Sequence, residues 1–137
     1  MSSVNKPSEL PKARSACPLA CSLDIYGDKW SLLVIRDILY GKHKFGEFLQ
    51  SKEGIPTNIL TNRLKRLAKL GLVERRQYNA RPARFAYHLT DKGEALRPVL
   101  LAIASWAHNY LEEEKEAQGL TTFPTSIAHE RLMQALA

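Results

Sequence analysis

A mainly α fold with one small β-hairpin, ordered as a winged helix-turn-helix, is predicted by three features of this 137-residue sequence. Helical apolar spacing precedes a tight turn, Gly54-Ile55-Pro56, and resumes in Leu60, Leu64 and Leu67 along one helix face. At Gly71 the apolar period changes from helical to alternating for two short segments, which predicts a two-stranded ribbon. Beyond Thr90 the apolar residues return at alternating steps of four and three, which predicts a long helix at the C-terminal side.

Each element follows from its residues. Residues 1–15 are polar with Pro7 and Pro11, so a flexible arm is expected. Cys17-Pro18 starts the first helix, with Cys17 near the N-cap and Pro18 at the first helical position, where a missing N–H removes no hydrogen bond. Leu19, Cys21, Leu23, Ile25 and Tyr26 supply its apolar material, and Gly27 is expected to end it as a C′ residue. Asp28 is suited to cap the next helix, which is expected to run to about Tyr40. Trp30, Leu33, Val34, Ile35, Ile38 and Leu39 make that helix apolar around most of its girth, as a central core helix is. A short helix is expected around Glu47–Ser51, anchored by Phe45, Phe48 and Leu49, and a longer one over Thr57–Leu70. The two strands are Val73–Tyr78 and Arg84–Leu89, joined by Asn79–Ala83. Alternation puts Phe85, Tyr87 and Leu89 on the buried face and Arg84, Ala86 and His88 on the other. Thr90 caps the final long helix, in which Leu96, Leu100, Ile103, Ala107 and Tyr110 form a heptad seam. Pro98 lies inside that pattern and is expected to kink it or delay its regular part. Glu112–Glu116 reads as a solvated helix end, and a break at Gly119–Pro124 precedes a further helix over 125–137. The domain therefore spans 16–116, with 117–137 as a helical extension.

Composition excludes several classes. Apolar residues are 45% and charged residues 25%, the balance of a folded globular chain. Val99–Ala104, the longest apolar run, is far short of the ~20 residues a bilayer needs. The polar opening carries no secretory signal and the two cysteines make no disulfide framework, so a reducing cytoplasm is the expected compartment. The net charge is +6, and its distribution matters more than its size. Residues 41–90 hold eleven bases and three acids, a local charge of +8, which leaves −2 for the rest. Segregation of this kind points to a basic face and an anionic partner.

The residues set among those bases narrow the partner. With Leu60, Leu64 and Leu67 buried, a turn of about 100° per residue puts Asn58, Thr61, Asn62, Lys65 and Lys69 on the opposite face. Thr and Asn are mediocre interior helix formers, because their side chains compete for backbone hydrogen bonds. They are, however, well suited to base edges: Asn pairs bidentately with adenine, Thr reaches bases or the thymine methyl, and Lys reaches guanine or phosphate. Thr57, Asn58, Thr61, Asn62 and Lys65 are the candidate base contacts on double-stranded DNA, and Lys44, Arg63, Arg66, Lys69, Arg75, Arg76, Arg81 and Arg84 the candidate backbone or wing contacts. A solvated face that tolerates poor helix formers is the competing reading of the helix. Charges that keep an exposed strand edge from pairing are the competing reading of Arg75 and Arg76, and a solvated loop that of Lys42 and Lys44.

These residues resemble the HxlR-type transcriptional regulators, winged-helix proteins related in fold to the MarR group. The resemblance covers about Cys17 to Leu111 and is carried by Cys17-Pro18, Gly27-Asp-Lys-Trp30, Arg36-Asp-Ile-Leu39, Phe45-Gly-Glu-Phe48, Gly54-Ile55, Leu60-Thr-Asn-Arg-Leu64, Gly71-Leu-Val-Glu-Arg75 and Leu89-Thr-Asp-Lys-Gly93. It implies a homodimer on operator DNA, with N- and C-terminal dimerisation helices. The seam residues Leu96, Leu100, Ile103, Ala107 and Tyr110, with Trp106, are the expected dimer interface. The sequence departs from the family in having Ala86 where Glu is common in the second strand, and Pro56-Thr57 where Ser-Pro often opens the reading helix.

The resemblance also implies that the cysteine matching Cys17 is, in some members, a sensor of oxidants or electrophiles. Physically, a thiol at a helix N-terminus feels the positive end of the dipole, and Lys12 and Arg14 are close in sequence; both favour thiolate. Cys21 lies one turn on and reads as a small apolar residue, so an intersubunit bridge or a capped thiol is favoured over an intrahelical disulfide. An unreactive N-cap is the equal alternative for Cys17. No cofactor is expected. Enzymatic readings find no phosphate loop and no nucleophile with a base, and His43, His88, His108 and His129 are scattered. Cys17, Cys21 and His43 match no strong zinc spacing, which leaves a metal- or small-ligand-responsive regulator as the alternative to a thiol switch.

Overall fold

A computed structural model describes residues 10–120 and 134 of the chain. Its contacts divide it into two units, with the boundary between Glu94 and Ala95. The first unit contains α1 (Pro18–Tyr26), α2 (Ser31–Leu39), α3 (Phe45–Phe48), α4 (Thr57–Lys69), β1 (Val73–Asn79), β2 (Arg84–Leu89) and α5 (Asp91–Glu94); the second contains α6 (Arg97–Tyr110) and α7 (Glu112–Ala117). The mostly helical chain with one antiparallel ribbon is the winged helix-turn-helix expected. No helix of the described residues is long and apolar enough to cross a membrane.

The core of the first unit is built from Val34, Ile35 and Ile38 of α2, Phe48, Ile55, and Leu60, Leu64 and Leu67 of α4, closed by Leu70, Leu72 and Val73. Each such side chain contributes about 1.5–3 kcal/mol on leaving water. The leucine stripe of α4 is therefore committed inward, which leaves its polar stripe for solvent or a ligand.

Local capping explains where the helices start. Cys17 is extended (φ −63°, ψ 123°) before Pro18 in the first turn of α1, and its thiol makes no capping bond. Gly27 does end α1, but in a right-handed conformation (φ −75°), so the left-handed C′ geometry is not used; its N–H instead completes the helical ladder to the Leu23 carbonyl at 2.8 Å. Asp28 accepts from the Trp30 and Ser31 N–H groups at 3.1 and 3.0 Å and from the Ser31 hydroxyl at 2.5 Å, satisfying the first open donor of α2, whose N-cap is Trp30, two residues later than expected. The short helix α3 begins and ends earlier than expected. The Glu47 carboxylate reaches back to the His43 and Lys44 N–H groups at 3.1 and 2.9 Å, which sets the start at Phe45.

Gly71 (φ 77°) closes α4 in a conformation that favours glycine. Beyond it the chain is tied to the ribbon by Thr90, whose hydroxyl donates to the Gly71 carbonyl at 2.5 Å and accepts from the Gly93 N–H at 3.2 Å. Gly93 itself is buried so close to Leu72 that a Cβ would overlap the Leu72 carbonyl oxygen.

In the ribbon, Arg75 faces Tyr87 and Gln77 faces Phe85 on one side; Glu74 faces His88 and Arg76 faces Ala86 on the other. A bulge falls between Gln77 and Asn79, and the Arg81-Pro82 bond at the tip is cis. The expected face assignment of β2 is corrected here. Ala86 is buried, whereas Phe85, Tyr87, His88 and Leu89 are all half-buried. Strict alternation assumes one solvated face, but β2 is the inner strand: Lys44 pairs with Ala86 on its other edge and the His43 ring stacks on His88 at 4.3 Å.

The long C-terminal helix is also interrupted. Thr90 caps only the single turn α5; regular helix resumes at Arg97 with Pro98 in its first turn, the delayed start that Pro98 allowed. A second break at Leu111 (φ −114°, ψ 1°) was not anticipated. Glu112, Glu113 and Glu114 then fill the first turn of α7, where negative charge complements the helix dipole better than it would at the end of α6. The helix expected over 125–137 lies outside the described residues, apart from the helical residue 134.

Candidate nucleic-acid interface

The outward stripe of α4 carries Thr57, Asn58, Thr61, Asn62, Lys65 and Lys69, all exposed. The Thr61 hydroxyl donates to the Thr57 carbonyl at 3.0 Å, one turn back. Lys65 and Lys69 have no ion-pair partner among the described residues. A groove beside this stripe is lined by Phe45, Asn62, Lys65, Lys69, Arg75 and Tyr87, among others, so the helix surface and one face of the ribbon open onto the same space.

The wing cations differ in their surroundings. Arg75 lies over the Phe85 ring at 4.0 Å, which holds it on the groove side. Arg76 lies 3.5 Å from Glu74 on the opposite face, where its charge is partly offset. Arg81 and Arg84 are exposed at the tip and have no ion-pair partner among the described residues. The tip itself is tied by Asn79, whose amide donates to the Pro82 carbonyl at 2.9 Å. Lys44 sits 4.8 Å above the Tyr78 ring, which joins the segment before α3 to the wing.

Two of the expected backbone contacts line the same groove but are engaged within the protein. Arg63 and Arg66 are half-buried and turned to the corner between α1 and α2. Arg63 Nε donates to Asp28 at 2.8 Å and its Nη1 to the Asn62 side-chain oxygen at 2.5 Å. Arg66 donates to the carbonyls of Asp24 and Ile25 at 2.5 and 3.3 Å, satisfying open acceptors at the end of α1. A 3.6-residue wheel cannot separate these arginines from exposed ones, because their long side chains leave the flank of the helix and snorkel to partners. The local sequence presents Asp28 only as a helix cap; its second role, as partner of Arg63, spans 35 residues. Partial burial pushes the Asp28 carboxyl up. The bonds from Ser31, Arg63 and the Trp30 and Ser31 N–H groups outweigh it and bring it down to about 2.

At the other end of the unit, Cys17 is exposed and Cys21 half-buried, both as free thiols. Cys21 Sγ lies 3.3 Å from the Ser15 carbonyl. Of the two cationic neighbours expected for Cys17, Arg14 is drawn away: its Nε bonds the Asp24 carboxylate at 2.6 Å. In the second unit Leu100 is buried and Leu96 and Ala107 half-buried, but Ile103, Trp106 and Tyr110 are 50, 57 and 67% exposed. In the first unit Leu19 and Leu23 of α1 are likewise exposed.

The sequence and structure have close counterparts. The family model for the HxlR-like helix-turn-helix matches residues 25–115. An uncharacterized HTH-type transcriptional regulator of Synechocystis sp. is 36% identical over 98 residues, covering 72% of this chain and 73% of its own. One from Mycobacterium tuberculosis is 34% identical over 90 residues, or 66% of this chain, which spans only 56% of that longer relative. Among solved structures, the redox regulator HypR in its reduced form superposes with a TM-score of 0.66 at 29% identity, over 73% of this chain and 99% of HypR.

Proposed function

The chain belongs to the HxlR-like helix-turn-helix family of transcriptional regulators, and from that premise we propose that it binds operator DNA sequence-specifically as a homodimer and switches through Cys17. The observation that carries the DNA reading is the outward stripe of α4. It is exposed, rich in Thr and Asn that a helix selected for stability alone would avoid, and shares a groove with the cationic wing. Thr57, Asn58, Thr61, Asn62 and Lys65 address base edges in the major groove; Lys44, Lys69, Arg75, Arg76, Arg81 and Arg84 address the backbone. The exposed apolar side chains of α6, and those of α1, support self-association, with two reading helices on half-sites about one or two helical turns apart. The regulator works in the cytoplasm, where its DNA and a reduced thiol are both found.

The exposed Cys17 thiol at the start of α1 is the effector site, and the likeness to a redox regulator supports it. Selection from a randomised duplex pool tests the DNA reading: enrichment of one palindromic sequence is expected, and equal retention of all duplexes overturns it. On the selected duplex, diamide releases the wild-type protein. Release of Cys17→Ser at the same diamide concentration transfers the switch to a small ligand or metal.

A further inference from the structure

The groove beside the reading stripe has a third wall. Leu10, Pro11 and Arg14 of the N-terminal arm line the same space as Asn62, Lys65 and Lys69 of α4. The arm is fastened there at its C-terminal end. Arg14 Nε donates to the Asp24 carboxylate at 2.6 Å, the Ser15 hydroxyl oxygen accepts from the Cys17 N–H at 3.2 Å, and the Ser15 carbonyl accepts from Cys21 Sγ at 3.3 Å. Lys12, between Pro11 and Arg14, is exposed and has no ion-pair partner among the described residues. The charge distribution is an independent observation. Residues 1–15 hold three bases and one acid, whereas 16–40 and 91–137 are each net negative. An arm with surplus positive charge is therefore set against a groove that is itself cationic. Such a juxtaposition is repulsive by itself, and a polyanion lying along the groove turns it into attraction.

We propose that the N-terminal arm is a further DNA-contacting element, in which Lys12 meets the phosphate backbone beside α4 and the Arg14–Asp24 pair holds the arm in place. The inference rests on the operator-binding reading above and extends its interface beyond α4 and the wing. The two cations have different parts. The charge of Arg14 is answered by Asp24, so Arg14 is an anchor and a positioning residue; Lys12 carries the free charge. A phosphate contact fixes the protein on the duplex but carries no sequence information, so the arm adds affinity and leaves base preference to α4. Its contribution is a salt-dependent one, because each phosphate neutralised releases condensed counterions.

The test measures affinity for the duplex selected by the wild-type protein, and for a scrambled duplex, at several salt concentrations. Lys12→Ala should weaken binding to both alike and lower the salt slope by about one unit. Asp24→Ala separates anchoring from charge. It raises the net charge of the protein by one, which by itself tightens binding to DNA; loss of the anchor instead predicts weaker binding with a shallower slope. Melting curves accompany each variant, and if Asp24→Ala does not fold, the exposed Lys12→Ala still decides the matter. A Lys12→Ala protein with the wild-type slope and affinity overturns the inference and leaves the operator reading standing. Tighter binding by Lys12→Ala or Asp24→Ala also overturns it, because the arm then shields the groove from DNA. A wild-type protein that retains all duplexes equally overturns the operator reading itself, and this inference with it.

Discussion

Asp28 does two jobs with one carboxylate: it caps α2 and it receives Arg63 from α4. Its depressed pKa makes it a measurable contributor to stability. The carboxyl falls from the ordinary 3.8 to about 2 on folding, so its contribution is fully present above about pH 4 and is lost as pH falls toward 2. With the side chain 27% exposed, solvent screening reduces the contribution to about 1–2 kcal/mol. Asp28→Asn is therefore expected to lower stability at pH 7 by that amount, and to flatten the fall in stability between about pH 4 and 2; denaturant titrations across that range check both. Other single residues were readable in advance to different degrees. Asp28 as a cap, Pro18 in a first turn and Thr90 as a cap follow from local backbone chemistry, which a few neighbouring residues specify. The Arg63 and Arg66 partners lie 35 and 41 or 42 residues away, and no local pattern carries them.

The elements divide the labour of the candidate interface between a stiff part and a tethered part. The reading helix α4 is anchored by three leucines buried almost completely, so its outward stripe is held at a defined angle. The wing is tied along both edges of β2, but its tip carries exposed Arg81 and Arg84. That difference predicts different binding signatures. Arg81→Ala should weaken binding to every duplex alike and reduce the salt slope by about one unit, leaving base preference intact; affinity measured against salt on selected and scrambled duplexes checks this. Element existence and order were legible because apolar period reports burial on one side. The places where expectation failed are those where two sides are covered or a cap intervenes. The extra pairing of Lys44 with Ala86 covers β2 on a second side, the Glu47 reach-back moves α3, and the acidic run restarts a helix at Glu112.

As a whole molecule the chain shows two units, each with apolar side chains that solvent reaches: Leu19 and Leu23 in one, Ile103, Trp106 and Tyr110 in the other. Aromatic residues exposed in a row on one helix are the usual anchors of a protein interface. Ile103→Glu combined with Trp106→Ala is expected to convert the proposed dimer to a monomer in sedimentation velocity. It should also weaken binding to a two-half-site duplex by about 100-fold, because the second half-site is no longer held at high effective concentration. Unchanged sedimentation would remove α6 from the interface.

Composition, charge segregation and apolar period were sufficient for the fold class, the element order through the wing and the stripe of α4 that faces outward. All three are properties of the chain's own periodicity, and burial enforces them wherever one side is dry. The pairing of Arg63 with Asp28 and Asn62, the commitment of Arg66 and Arg14 within the protein, and the covering of Ala86 required the folded chain. Which of several charged or small side chains meets which partner is set by packing geometry rather than by local preference.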